Sequence, residues 1–209
     1  MIVPYPLQDG SLIDSALARA AKWTEDMQPV SMISAFVPLD SFVSLGASNS
    51  LEANVIEQNC LKDGVKIFKR LSGGEAVFLS PNCVVISHIL QSALIPKAVE
   101  FFSQNLDRIA AKLTAIGIKG IVRRGISDLA IGDKKILGCA IYKRPNFILF
   151  QAVLNVCEEP ELIARYLKHP LREPDYRSSR SHAEFVTSLQ AQGCEKTPEE
   201  IANLLKSFG

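Results

Sequence analysis

The element that comes after a pair of glycines decides which fold this chain can adopt. Residues 69–78 read Lys-Arg-Leu-Ser-Gly-Gly-Glu-Ala-Val-Phe, two glycines and a hydroxyl directly after a basic pair, between two apolar β-like runs. The chain continues as Ala76-Val77-Phe78-Leu79 and, beyond Pro81-Asn82, as Val84-Val85-Ile86-Ser87-His88-Ile89-Leu90. That is a strand. A Walker loop or a Rossmann fingerprint needs a helix N-terminus behind its glycines, so both are disfavoured. Ser72-Gly73-Gly74 keeps two readings. One is a hairpin turn. The other is a ligand loop, where glycine lets a ligand approach the amides and Arg70 offers a planar fork to a phosphate or carboxylate.

The remaining elements come in runs instead of strict β–α alternation. Helical spacing predicts a helix over 11–24, and the Asn49-Ser50 cap starts a second over 51–61. Short strands are expected near 32–37 and 41–46, then at 65–69, 76–79 and 83–90. The longest helix is expected over 96–116, with Val99, Phe102, Leu106, Ile109, Leu113 and Ile116 on one stripe. Strands dominate from 120 to 156, and helices close the chain. Thr197-Pro198-Glu199-Glu200 has the pattern of a capped helix start. The fold class is therefore α+β, with a mixed, mostly antiparallel sheet flanked by helices. Residues 168–180, broken by Pro170 and Pro174, form the best candidate for a functional or docking loop.

Charge narrows the function. The first sixty residues carry seven acids against Arg19 and Lys22, so the rest is net positive, with basic clusters at 62–70, 119–144 and 165–180. Beside a glycine-rich loop, these clusters suggest an anionic ligand or an acidic protein partner. Aromatics do not interleave with the basic residues, which argues against nucleic acid. No apolar run approaches the roughly 20 residues that span a bilayer, and no secretory signal is apparent. Five cysteines without a CxxC pair read as reduced thiols in a cytoplasmic protein, without a zinc site.

The segment 125–142 holds a second anchor. Gly132-Asp133 between two alternating runs predicts a two-residue hairpin turn. Its register would pair Ile131 with Lys134, Ala130 with Lys135, Asp128 with Leu137 and Ile126 with Cys139. Alternation would then put Asp128, Lys135, Leu137 and Cys139 on one face. A lysine on an apolar strand face needs an anion, either Asp128 or a bound phosphate. The alternative is that Lys134 and Lys135 are surface charges beside a turn.

With both anchors in view, the sequence resembles the lipoate-protein ligase A family, which shares its catalytic fold with biotin-protein ligases and octanoyltransferases (a class II synthetase-like fold). The family pattern Arg-Arg-x-Ser-Gly-Gly-Gly-Ala-Val-Phe-His-Asp appears as Lys69-Arg70-Leu71-Ser72-Gly73-Gly74-Glu75-Ala76-Val77-Phe78-Leu79-Ser80. The second pattern, Asn-Asp-Leu-x-x-x-Gly-Arg-Lys-Ile-x-Gly-x-Ala, appears as Ser127-Asp128-Leu129 through Lys135-Ile136-Leu137-Gly138-Cys139-Ala140. The resemblance extends from about residue 10 to 190 and implies one catalytic domain over 1–209, with no C-terminal accessory domain evident.

It further implies ATP-dependent activation of lipoate or octanoate and transfer to a lysine of a lipoyl-carrier domain, such as an E2 subunit of a 2-oxoacid dehydrogenase or the H protein of glycine cleavage. A separate accessory subunit is a further implied partner. Arg70, Ser72, Gly73, Gly74, Glu75 and Ala76 would line the acyl chain and nucleotide, with Ser127 and Gly138 in the second motif. Lys135 would be catalytic, Asp128 would sit at the magnesium–phosphate end, and Phe78, Val85 and Ile136 would contribute to an acyl tunnel. The departures are Glu75 for a glycine, Leu79 and Phe150 for histidines, and Ser127 for an asparagine. They keep two alternatives open: an ATP-independent acyltransferase using Cys139, or a non-catalytic relative that binds acyl-carrier domains. Cys139 also reads as a buried strand cysteine. His88 reads as a satisfied core or edge residue, and His169 and His182 as surface or docking groups.

Overall fold

The computed structural model describes residues 2–4, 10–24 and 26–207, with side chains from residue 12 onward. Its strands are β1 (Ile2–Pro4), β2 (Val30–Phe36), β3 (Phe42–Leu45), β4 (Lys66–Lys69), β5 (Val77–Leu79), β6 (Cys83–Gln91), β7 (Ile121–Arg124), β8 (Asp128–Ile131), β9 (Lys134–Arg144) and β10 (Phe147–Asn155). Its helices are α1 (Gly10–Ala21), α2 (Leu51–Asn54), α3 (Glu57–Asp63), α4 (Ala98–Ala115), α5 (Pro160–Tyr166), α6 (His182–Phe185) and α7 (Pro198–Leu205). The α+β expectation holds. A six-stranded sheet runs β2-β6-β10-β9-β8-β7, antiparallel throughout, and a four-stranded sheet runs β1-β4-β3-β5. In the smaller sheet β4 is parallel to both β1 and β3, and β3 is antiparallel to β5.

Alternation along the central strands builds the layers. On one face Ile86, Phe150, Ala152, Leu154 and Leu137 pack with Phe101, Leu106, Ile109 and Leu113 of α4 and with Ile201 and Leu205 of α7. On the other face Ile89, Phe147 and Leu149 meet Ile13 and Ala16 of α1. Along that same face Val85 and Val153 carry Phe42, Phe68 and Leu79 of the small sheet. A strand with both faces covered reads as continuously apolar, as β6 and β10 do.

Three expectations are corrected. The helix over 51–61 breaks into α2 and α3, because Val55 leaves the helical region to bridge Leu167. The Ser50 cap is real: its side chain accepts from the Ala53 amide at 3.2 Å. On α4 the buried stripe begins at Phe101, while Val99 is 60% exposed. The glycine-bearing segment is not a hairpin turn. β4 and β5 lie on opposite sides of β3, so residues 70–76 arch across its end. Thr197 caps α7 as expected, in a reciprocal capping box with Glu200. Among the described residues no helix is long and apolar enough to cross a membrane.

Leu113, fully buried between α4 and the large sheet, tests this layering. Leu113→Ala is expected to lower unfolding free energy by about 2–5 kcal/mol. Denaturant titration should show a lower midpoint at unchanged slope.

Candidate functional site

The arch over β3 is built from the inside. Arg70 is buried and spends its guanidinium on the arch. Its Nε donates to Ser72 Oγ at 3.1 Å, Nη1 to the Ser44 carbonyl at 2.8 Å, and Nη2 to the carbonyls of Gly73 at 2.7 Å and Glu75 at 2.8 Å. A planar fork that holds several carbonyls at once shapes a loop more firmly than any apolar contact there could. Ser72, fully buried, donates to Gln151 Oε1 of β10 at 3.0 Å, and its carbonyl accepts from the Ala47 amide at 3.0 Å. The arch is thereby tied to both sheets. Gly74 turns at φ +84°, a conformation that favours glycine. A side chain on Gly46 below it would collide with the Gly74 carbonyl. Among the described residues the amides of Gly73, Gly74 and Glu75 donate to no protein acceptor.

Glu75, which stands where the resembled pattern has glycine, turns toward α2: its Oε2 accepts from Asn54 Nδ2 at 2.7 Å. Ala76 packs against the apolar cluster that includes Phe78, Tyr166 and Leu167.

The second anchor differs in register from the expectation. Ile131 opposes Lys134 and Ala130 opposes Lys135, but a bulge then shifts the pairing, so Leu129 opposes Leu137 and Asp128 opposes Gly138. Bulges of this kind re-aim side chains. Leu137 and Cys139 turn to the α4 core, and the shared face is Asp128, Gly138 and Ala140. Lys135 folds onto that face. Its Nζ meets Asp128 Oδ1 at 2.9 Å, and it lies 2.5 Å from where a side chain on Gly138 would begin. The Asp128 side chain is only 4% exposed and the Lys135 side chain 29%. Asp128 also accepts from Ser127 Oγ at 3.2 Å and from Tyr176 Oη at 2.9 Å. The two anchors meet on one surface, since a side chain on Gly74 would touch Ala140 Cβ at 3.6 Å. Ala140 is the next residue from Gly138 on that face, about 7 Å along the strand.

The other candidates lie elsewhere. Cys139 Sγ donates to the Ser127 carbonyl at 3.0 Å and packs beside the α4 core. Burial, with Asp128 nearby, pushes its thiol well above the usual range, opposed by Lys135. His88 is a core residue: Nε2 meets Ser31 Oγ at 2.8 Å and Nδ1 meets Asn105 Oδ1 at 2.6 Å, and burial lowers its pKa. His169 pairs with Glu173, and His182 meets the Lys168 carbonyl. Phe78, Val85 and Ile136 fall in three separate apolar clusters and make no common wall. Leu79 and Phe150 are plain core residues. Cavities of about 500 and 390 Å³ open at the Phe42/Lys66 ends of β3 and β4 and between α1, β2 and α7, away from both anchors.

Three site residues escape sequence reasoning. Gln151 is a polar interruption in an apolar run, and Tyr176 is the aromatic of the basic loop; those are their available signals. Asn54 gives none.

The family described as the lipoyl protein ligase A/B catalytic domain matches residues 15–208. An Aeropyrum pernix protein named as a lipoate-protein ligase A is 29% identical over 129 residues, 60% of this chain and 46% of that one. The chain thus spans about half the length of this curated relative. The bipartite lipoate protein ligase of Thermoplasma acidophilum, described with its E2 lipoyl domain, superposes with a TM-score of 0.74 at 19% identity, covering 98% of this chain and 78% of that one. A lipoate-protein ligase A bound with ATP gives a TM-score of 0.74 at 19% identity, covering 98% and 80%. At these identities the structural likeness speaks for the fold.

The raised Cys139 thiol has a measurable consequence. At pH 8 iodoacetamide should modify Cys139 in the folded protein at least about tenfold more slowly than in the unfolded chain, because less thiolate is present. Peptide mass spectrometry reads the difference.

Proposed function

Because the chain belongs to the lipoyl protein ligase A/B catalytic-domain family, we propose that it activates lipoate, or octanoate, with ATP and passes the acyl group to a lysine of a lipoyl-carrier domain. The carrying observation is the common face of β9: the Lys135 ammonium lies over Gly138, and Gly74 of the arch comes up against Ala140 on the same face. An acyl carboxylate oxygen attacks the α-phosphorus, the P–O bond to pyrophosphate breaks, and an acyl-adenylate forms. The acceptor's neutral amine then attacks the acyl carbon and loses its proton, and AMP leaves. Charge grows on phosphorus-bound oxygens in the first step and on the carbonyl oxygen in the second. A fixed cation and preoriented N–H groups stabilise both. Arg70 and Ser72 serve this by holding the arch, and the amides of Gly73 and Gly74 are the donors it would offer the ligand.

Magnesium, expected at Asp128, does not fit there as a protein-built site. Both oxygens of that carboxylate already have donors, and among the described residues no three His, Cys, Asp or Glu side chains converge. Ions of this kind often rely on substrate phosphates and water. Lys135 supplies positive charge on this face. The proposed partners are lipoyl domains of E2 subunits and the glycine-cleavage H protein, with a separate accessory subunit as a further partner.

The acyltransferase alternative finds less support, since Cys139 faces the α4 core with its thiol held protonated. The substitutions that favoured a non-catalytic relative have structural accounts: Glu75 is bound by Asn54, and Leu79 and Phe150 fill the core.

Lipoate-dependent exchange of pyrophosphate into ATP tests the proposal. Lys135→Ala should lower it by about 10²-fold or more, while Cys139→Ser should leave it intact. Normal exchange by Lys135→Ala, or loss in Cys139→Ser, would sink the assignment.

A further inference from the structure

Residues 173–187 wrap the hairpin that carries Lys135. Pro174 lies against Gly125, where a side chain on the glycine would touch its Cβ at 3.7 Å. Arg180 grips the hairpin tip, donating to Asp133 Oδ2 at 2.8 Å and to the Asp133 carbonyl at 3.0 Å, and it also holds the Tyr176 carbonyl at 2.6 Å. The Thr187 amide donates to the Lys135 carbonyl at 2.9 Å, and Val186 bridges Lys135 directly. Between these fixings Ser178 and Ser179 both adopt left-handed backbone, φ +51° and +59°. Two consecutive non-glycine residues in that region persist only where the surroundings over-determine them.

The centre of this strap is Tyr176. Its ring lies 5.0 Å from the Phe185 ring and 5.9 Å from the Arg124 guanidinium. These contacts fix the phenol so that Oη reaches Asp128 Oδ2 while Lys135 holds Oδ1. A carboxylate anchored at one oxygen by a rigid donor can present the other in only one direction. We propose that Tyr176 is a positioning residue of the acyl-activation site: through Asp128 it fixes where the Lys135 ammonium sits over Gly138. Burial and the Asp128 carboxylate push the phenol well above its ordinary range, so it keeps its donor proton across the working pH range. The role in turnover rests on the proposed ligase reading; the placement of Lys135 does not.

Tyr176→Phe tests this, because it keeps the ring contacts and removes only the donor. The first arm needs no turnover: the protein is treated with the N-hydroxysuccinimide ester of acetate at pH 8, with exposed Lys134 as internal reference. Loosening of the ion pair should raise labelling of Lys135 about threefold relative to Lys134, the scale of losing a partly exposed pair's hold. Equal or slower labelling overturns the proposal. The second arm is pyrophosphate exchange. Tyr176→Phe should lower kcat by about ten- to a hundredfold and leave KM for ATP and lipoate within about twofold. It should have no further effect in an Asp128→Asn background. An additive effect, or a loss confined to KM, would mean direct ligand contact and overturn the positioning role. If the unmodified protein shows no exchange, the ligase reading fails, and the labelling arm still decides the placement.

Discussion

A carboxylate withdrawn from water costs free energy unless donors meet it, and how Asp128 is met organises this molecule. Lys135, Ser127 and Tyr176 reach its two oxygens from β9, from the turn before β8 and from the strap beyond α5. The bulge puts Gly138, and not Leu137, opposite Asp128, and the lysine's amine lies over that glycine. Gly138 is required by the same geometry, since the lysine's amine occupies the space a side chain would take. One pairing thus sets a register, a glycine and the course of a strap.

The arch is the second dependent structure. Parallel pairing of β3 with β4 and antiparallel pairing with β5 oblige the chain to cross the end of β3. Crossing it leaves backbone groups without strand partners. Arg70 collects the carbonyls of Gly73 and Glu75, and among the described residues the amides of Gly73, Gly74 and Glu75 have no protein acceptor. A basic residue that looks available to a ligand in the sequence is consumed by the loop, and the groups that remain are donors without side chains.

Much of this was legible in the sequence, for identifiable reasons. The long helix, the two-residue turn at Gly132-Asp133 and the Thr197 cap depend on nearby residues, and they stand where periodicity and capping chemistry put them. The break at Val55 was hidden because its partner, Leu167, is more than a hundred residues away. Strand order was equally non-local, so a hairpin turn stayed open as one reading of the arch. The bulge displaced Cys139 from the Asp128 face by one residue, enough to move it to the opposite side of the sheet. Tyr176 could be noticed as the aromatic of the basic loop but not placed in the site, because nothing local ties a tyrosine in a proline-broken loop to an aspartate on a strand.

Glu75 shows how a substitution that looks hostile to a nucleotide can be accommodated. Its carboxylate is bound by Asn54 of α2, and the ammonium of Lys135 stands on the shared face with Asp128 as its partner. The proposed activity therefore turns on one intermediate. The protein, mixed with ATP and lipoate and quenched in acid, should yield lipoyl-adenylate by mass spectrometry, with none formed when ATP is omitted. An acyl-thioester on Cys139 formed without ATP, and no adenylate with it, would contradict the account.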